Sequence, residues 1–187
     1  MRALFLTFVL VCGMLSSTGT WATEAGWALL REGGHVVLLR HAYAPGSGEP
    51  TSFDIENCRT QRTLSDRGRQ QARRMGALFD TRAERVERVL SSRYCNCLQT
   101  AEIAFRDHDA EPFAALDPTG DDEAAWEANR AAIIEEVGSF SSQGNMVMVT
   151  HQEVIQALTG QAAREGEAVI VRREGDKLHV LGRIVFN

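Results

Sequence analysis

His35-Val36-Val37-Leu38-Leu39-Arg40-His41-Ala42 decides how this chain folds. A short valine- and leucine-rich run, bounded behind by Gly34, reads as a strand buried on both faces, the signature of a parallel sheet. The pattern recurs after Gly144, where Asn145-Met146-Val147-Met148-Val149 leads into Thr150-His151. Each run therefore delivers an imidazole at its carboxyl end, and the first delivers an arginine beside it. In open α/β sheets, ligands collect outside the carboxyl ends of the strands. His41 and His151 thus point to a common site rather than to core packing.

Working outward, Thr23 to Arg31 reads as a leading helix ended by Gly33-Gly34. Ala44 to Thr63 is a long polar loop holding Pro45, Gly46, Gly48 and Pro50. Ser65 caps a helix over Asp66 to Arg82, with Ala72, Met75, Leu78 and Phe79 on its apolar face. Val86 to Leu90 reads as the second strand, opening through Ser91-Ser92 into a helix that includes Thr100 to Ala104. Glu111 to Leu116 is expected to be a third short strand, and Asp121 to Val137 a helix. A further helix around Val154 to Leu158 stops at Gly160. Ala168 to Arg173 and Leu178 to Phe186 complete the chain as a hairpin turning at Gly175-Asp176. Alternation of strand and helix predicts an α/β three-layer sandwich, with a mostly parallel central sheet and helices on both faces.

At the start, Met1-Arg2 precedes an apolar stretch from Ala3 to Leu15, and Thr20-Trp21-Ala22 has the small-residue character of a cleavage sequence. Residues 1–22 read as a secretory signal peptide, leaving a single domain over 23–187. The apolar stretch falls short of the roughly 20 residues that a membrane span needs, so no stable membrane insertion is expected once the leader is cut. Val11 before Cys12 argues against lipid attachment. The leader holds Arg2 and no carboxylate, so its loss moves the formal charge one unit further negative from −5. An acidic surface of this kind disfavours nucleic acid as a partner.

Cys58, Cys95 and Cys97 remain in the mature chain, in an export compartment where disulfides persist. An odd count leaves one thiol free. Cys58 is expected to bridge to Cys95 or Cys97, with Cys95 preferred. No second ligand pair at zinc spacing accompanies them, and Asp107-His108-Asp109 offers adjacent rather than encircling groups, so no metal is expected.

A neutral imidazole is a good nucleophile toward phosphorus, and a neighbouring arginine can hold phosphoryl oxygens while charge develops in the transition state. His41 beside Arg40 meets that requirement, and His151 would donate a hydrogen bond from another side. Phosphoryl transfer depends mostly on positioning and electrostatics, so such a cluster needs no cofactor.

Four motifs now stand in order. Arg40-His41-Ala42 is followed by Leu64-Ser65-Asp66-Arg67-Gly68 with Gln71-Ala72, then by Leu90-Ser91-Ser92 with Gln99-Thr100-Ala101-Glu102, and then by Val149-Thr150-His151. Together they resemble the histidine phosphatase superfamily and its phosphoglycerate mutase-like fold. The leader and Asn57-Cys58-Arg59-Thr60-Gln61-Arg62 resemble the small secreted or periplasmic branch, which includes proteins associated with dephosphorylating lipopolysaccharide core heptose. The resemblance implies that His41 is the phosphorylated nucleophile, Arg40 a phosphate ligand and His151 the second histidine of the pocket. The expected ligand is a phosphorylated small molecule or glycan.

One departure stands out. The superfamily pattern places a second phosphate-binding arginine where this chain has Asn96, which can donate a hydrogen bond but brings no charge. Arg93, Arg59 and Arg62 are candidates to restore that charge. Asp117 and Glu153 are candidates for the acid that protonates the leaving oxygen. Two readings follow. One is an exported phosphomonoesterase working through phosphohistidine on His41; the other is a catalytically weak or inactive relative that binds phosphate or phosphorylated ligands.

Overall fold

The computed structural model describes residues 18–186. The apolar stretch from Ala3 to Leu15 on which the leader was read lies outside them. Helix α1 (Thr18–Glu32) starts earlier than the sequence suggests, and the expected cut before Thr23 falls inside it.

Strand β1 (Val36–Arg40) pairs parallel with β4 (Asn145–Thr150), setting Arg40 opposite Thr150. On the other side of β4 lies β2 (Val86–Ser91), also parallel, with β3 (Glu111–Pro112) beyond it at the edge. Strands β5 (Glu167–Glu174) and β6 (Lys177–Val185) form an antiparallel hairpin that extends the sheet past β1. The order is β3-β2-β4-β1-β5-β6. All six residues of β4 are buried, as expected for the centre of a sheet covered on both faces.

Side chains alternate between two cores, as the two-residue period of a strand requires. Val37, Leu39, Val147 and Val149 face one core with Trp27, Met75 and Phe79. Val36, Leu38, Met146 and Met148 face the other with Ile133 and Ile155. The first core is covered by α1, by α2 (Asp66–Arg82) and by α3 (Cys95–Ala104); the second is covered by α4 (Glu123–Ser139) and α5 (Gln152–Thr159). Phe79 anchors the first, with ring centroids 5.7 Å from Trp27, 5.2 Å from Phe105 and 5.8 Å from Phe186. Such aromatic pairs add about 0.5–1.5 kcal/mol each beyond area burial. The three-layer α/β architecture expected from the sequence is present.

Boundaries follow their caps. Ser65 accepts from the Gly68 N–H to start α2, and Asp122 accepts from the Ala125 N–H to start α4, two residues later than expected. The third strand is a correction. It stops at Pro112, whose nitrogen cannot donate to a ladder, and Ala114–Leu116 coil into a 3₁₀ turn instead of extending it.

Two glycines let α2 press close. A Cβ at Gly68 would sit 2.1 Å from the Tyr43 carbonyl oxygen, and one at Gly76 would sit 2.1 Å from that of Ala104. At the amino end of β4, Asn145 is fully buried and fully paired. Its Oδ1 accepts from the His35 N–H at 3.2 Å, and its Nδ2 donates to the carbonyls of Leu30 at 2.9 Å and Glu84 at 3.1 Å.

Candidate active site

At the opposite end of the strands, β1 runs out into His41, whose backbone N–H donates to the Thr150 carbonyl and keeps it beside β4. Its Nδ1 lies 2.8 Å from the Ala42 carbonyl oxygen. A carbonyl can only accept, so Nδ1 carries the hydrogen and Nε2 keeps its lone pair. Burial, reinforced by the charges of Arg40 and Arg62, lowers the pKa of His41 to about 4, outweighing the carbonyl bond that favours protonation. At neutral pH this imidazole is uncharged, with the Nε2 lone pair available.

His151 follows β4 and starts α5, with its ring centroid 5.4 Å from that of His41. Burial, then the proximity of His41, Arg62 and Arg40, holds its pKa well below the ordinary range. Its Nε2 lies 3.0 Å from Ser92 Oγ and 3.4 Å from Cys97 Sγ. The structure thus brings together the two histidines that the sequence placed at separate strand ends.

Arg40 projects from the end of β1 and donates from Nη1 to Gln152 Oε1 at 2.5 Å and to the Ala163 carbonyl at 2.8 Å. Its Nε is buried without a partner. Asn96 Oδ1, in the first turn of α3, is the other buried side-chain atom without one among the described residues. Since buried polar groups are normally paired, these two orphans want different partners: Arg40 Nε an acceptor and Asn96 Oδ1 a donor.

The other arginines separate. Arg62 leans from the long loop, donating from Nη2 to the Ala44 carbonyl at 2.6 Å and from Nε to that of Pro45 at 3.2 Å. Its charge reaches both histidines. Arg93 turns to Asp117, with Nε 2.7 Å from Oδ2 and the backbone N–H 2.8 Å from Oδ1. Arg59 is exposed on the 3₁₀ turn Cys58–Thr60. Glu153 is exposed on α5 and lines a separate cleft with Thr119 and Trp126. Asp117 is buried, and Ser92 Oγ also lies 2.7 Å from its Oδ1.

The long loop is fastened to α3 at several points. Cys58 and Cys95 form the expected disulfide, while Cys97 is free and buried. The Cys95 N–H donates to Gln61 Oε1 at 2.9 Å, and Leu64 N–H to Gln99 Oε1 at 2.9 Å. Thr100 Oγ1 accepts from the Ala42 N–H, and Gln71 Oε1 from the Tyr43 N–H. The polar residues of the sequence motifs therefore staple the chain just after His41.

Sequence reading missed Ser92, Cys97 and Tyr94, whose ring centroid is 4.9 Å from that of His151. For Ser92 a signal existed, because it stands just past the carboxyl end of β2, the same position relative to its strand that singled out the histidines. Among the described residues, no group of three or more His, Cys, Asp or Glu could hold a metal ion, and no helix is long and apolar enough to cross a membrane.

By sequence, no family model and no curated protein match the chain. Solved structures do. A putative alpha-ribazole-5'-P phosphatase from Escherichia coli superposes with a TM-score of 0.61 at 15% identity, covering 81% of this chain and 96% of that one. The chain has the histidine phosphatase fold. Two further structures share this fold. The protein histidine phosphatase SixA, complexed with tungstate, gives a TM-score of 0.57 at 20% identity, covering 80% of this chain and 96% of that one. A mycobacterial glucosyl-3-phosphoglycerate phosphatase complexed with VO3 gives 0.56 at 16% identity, covering 79% and 97%.

Proposed function

We propose that the protein is an exported phosphomonoesterase that hydrolyses a small or sugar-linked phosphate through a phosphohistidine on His41. The observation that carries this reading is the Nδ1 bond of His41 to the Ala42 carbonyl, which leaves Nε2 as an uncharged nucleophile. His41 Nε2 attacks phosphorus, the ester P–O bond breaks, and Arg40 steadies the phosphoryl oxygens. Water then attacks the phosphohistidine and returns the electron pair to Nε2. Arg62 supplies the second positive charge that Asn96 does not, supported by its influence on both imidazoles. Export is supported by the leader-like first 22 residues and by the Cys58–Cys95 bridge.

Purified protein, with chelator present, releases inorganic phosphate from members of a panel of phosphosugars and aryl phosphates. Absence of release from every member, with His41→Ala indistinguishable from the parent, overturns the enzyme reading. A second reading, favoured by the uncharged and unpaired Asn96, is a phosphate-binding protein with degraded turnover. Asn96→Arg separates the two: a large gain in rate marks an impaired native pocket, whereas a loss shows that Asn96 belongs to a working arrangement of its own.

A further inference from the structure

The reaction needs an acid for the leaving oxygen, and the buried carboxyl group that shares Ser92 Oγ with His151 is not free to serve. Asp117 Oδ1 accepts from both Ser92 Oγ and the Arg93 N–H, while Oδ2 accepts from Arg93 Nε. Its oxygens are committed to this network rather than turned toward a substrate.

The network instead assigns hydrogens. A carboxylate cannot donate, so the single hydrogen of Ser92 Oγ points to Asp117. The lone pairs of Ser92 Oγ then receive the Tyr94 N–H at 3.3 Å and the Nε2–H of His151 at 3.0 Å. Burial keeps the Cys97 thiol protonated, so its sulfur offers His151 no charge. Ser92 is fully buried, and His151 and Asp117 are nearly so, which makes each hydrogen assignment costly to break. His151 Nδ1, across the ring, makes no hydrogen bond to any described residue and is left for the phosphoryl group or its leaving oxygen.

Resting on the phosphatase reading, we propose that His151 is the general acid and base of the reaction, with Ser92 and Asp117 acting through it as positioning residues. Binding of a phosphate dianion brings a proton onto Nδ1. When His41 Nε2 attacks phosphorus and the P–O bond breaks, that proton passes to the leaving oxygen. Nδ1 then takes a proton from the water that cleaves the P–N bond, which restores both imidazoles. Asp117 balances the transient imidazolium through the Ser92 hydroxyl. Against it stand His41, Arg40 and Arg62 from the β1 side and the long loop; Tyr94, just before α3, and Cys97, on it, adjoin the ring, and Glu153 lies on its own helix.

The test pairs two substrates with a tautomer measurement. An alkyl phosphate needs protonation of its leaving oxygen, whereas p-nitrophenyl phosphate does not. Ser92→Ala is expected to lower kcat/KM about 100-fold on the alkyl ester and less than about 5-fold on the aryl ester, since acid catalysis contributes about 10²–10⁴. Asp117→Asn is expected to shift both substrates in the same pattern, and it stands in should Ser92→Ala fail to fold. Nitrogen-15 NMR of the full chain should show His151 protonated at Nε2 alone, becoming doubly protonated on addition of inorganic phosphate. Equal losses on both esters, or a His151 protonated at Nδ1 alone, overturn the acid role while leaving the phosphatase reading intact. No turnover by the parent and no response to phosphate overturn both.

Discussion

Two buried asparagines stand at opposite ends of the parallel strands and have opposite fates. Asn145, at the amino end of β4, has every side-chain polar atom paired and clamps α1 and the approach to β2 onto the sheet. Asn96, past the carboxyl end of β2, is as deeply buried, yet its Oδ1 is orphaned. At the amino end, no described buried side-chain polar atom is left unpaired. At the carboxyl end, Asn96 Oδ1 and Arg40 Nε forgo that completeness, which costs stability and leaves room for a ligand's own hydrogen bonds.

The comparison breaks first at His41. Replacing it with alanine should lower phosphate release by at least about 10⁴-fold, since the nucleophile is lost, with the fold retained by circular dichroism. Acid comes next. The folded His41 pKa of about 4 lies below its ordinary 6.5. Between those values the unfolded chain binds more protons, so stability is fully present above the upper value and is lost as pH falls toward the lower one, levelling below it. The loss should approach about 3 kcal/mol from His41 alone in urea titrations across this window, with His151 acting in the same direction. Activity should fall as pH drops through about 4, where His41 gains its proton.

Asn145→Ala tests the saturated end. It strands the His35 N–H and two carbonyls, so a loss of about 3 kcal/mol is expected by urea denaturation, with turnover per folded molecule unchanged. Asn96→Ala, with no partner to lose at Oδ1, should move stability by less than about 0.5 kcal/mol while altering phosphate affinity measured by calorimetry. Equal destabilisation by the two asparagine substitutions would abolish the distinction between the ends.

The sheet was legible because β1 and β4 are apolar on both faces and end in residues that cannot continue a core. Helix α2 was legible from its serine cap and its apolar spacing. Strand β3 was not, because a β-rich run gave no weight to the missing N–H of Pro112. A shared site for the histidines was legible because both follow the carboxyl ends of predicted strands, where ligands collect. The direction of Arg62 was not, since it depends on how a long loop docks through Cys58 and Gln61 onto α3. Nor was the partner of Arg93, because a position two residues past a strand does not disclose which carboxylate a flexible side chain meets. Ser92 lay within a motif but was given no role, because its place between an imidazole and a carboxylate depends on three separate segments meeting.

Gly68 and Gly76 carry a different implication. Neither touches the histidines, yet a single methyl group at either would collide with a carbonyl oxygen, one on the chain leading from His41 and the other at the end of α3. Their demand is geometric and indifferent to chemistry. A variant that lost every reactive side chain would still need both, so they belong to the scaffold, while Arg40, His41 and His151 belong to the candidate site. That separation of scaffold from site is built into α2 alone.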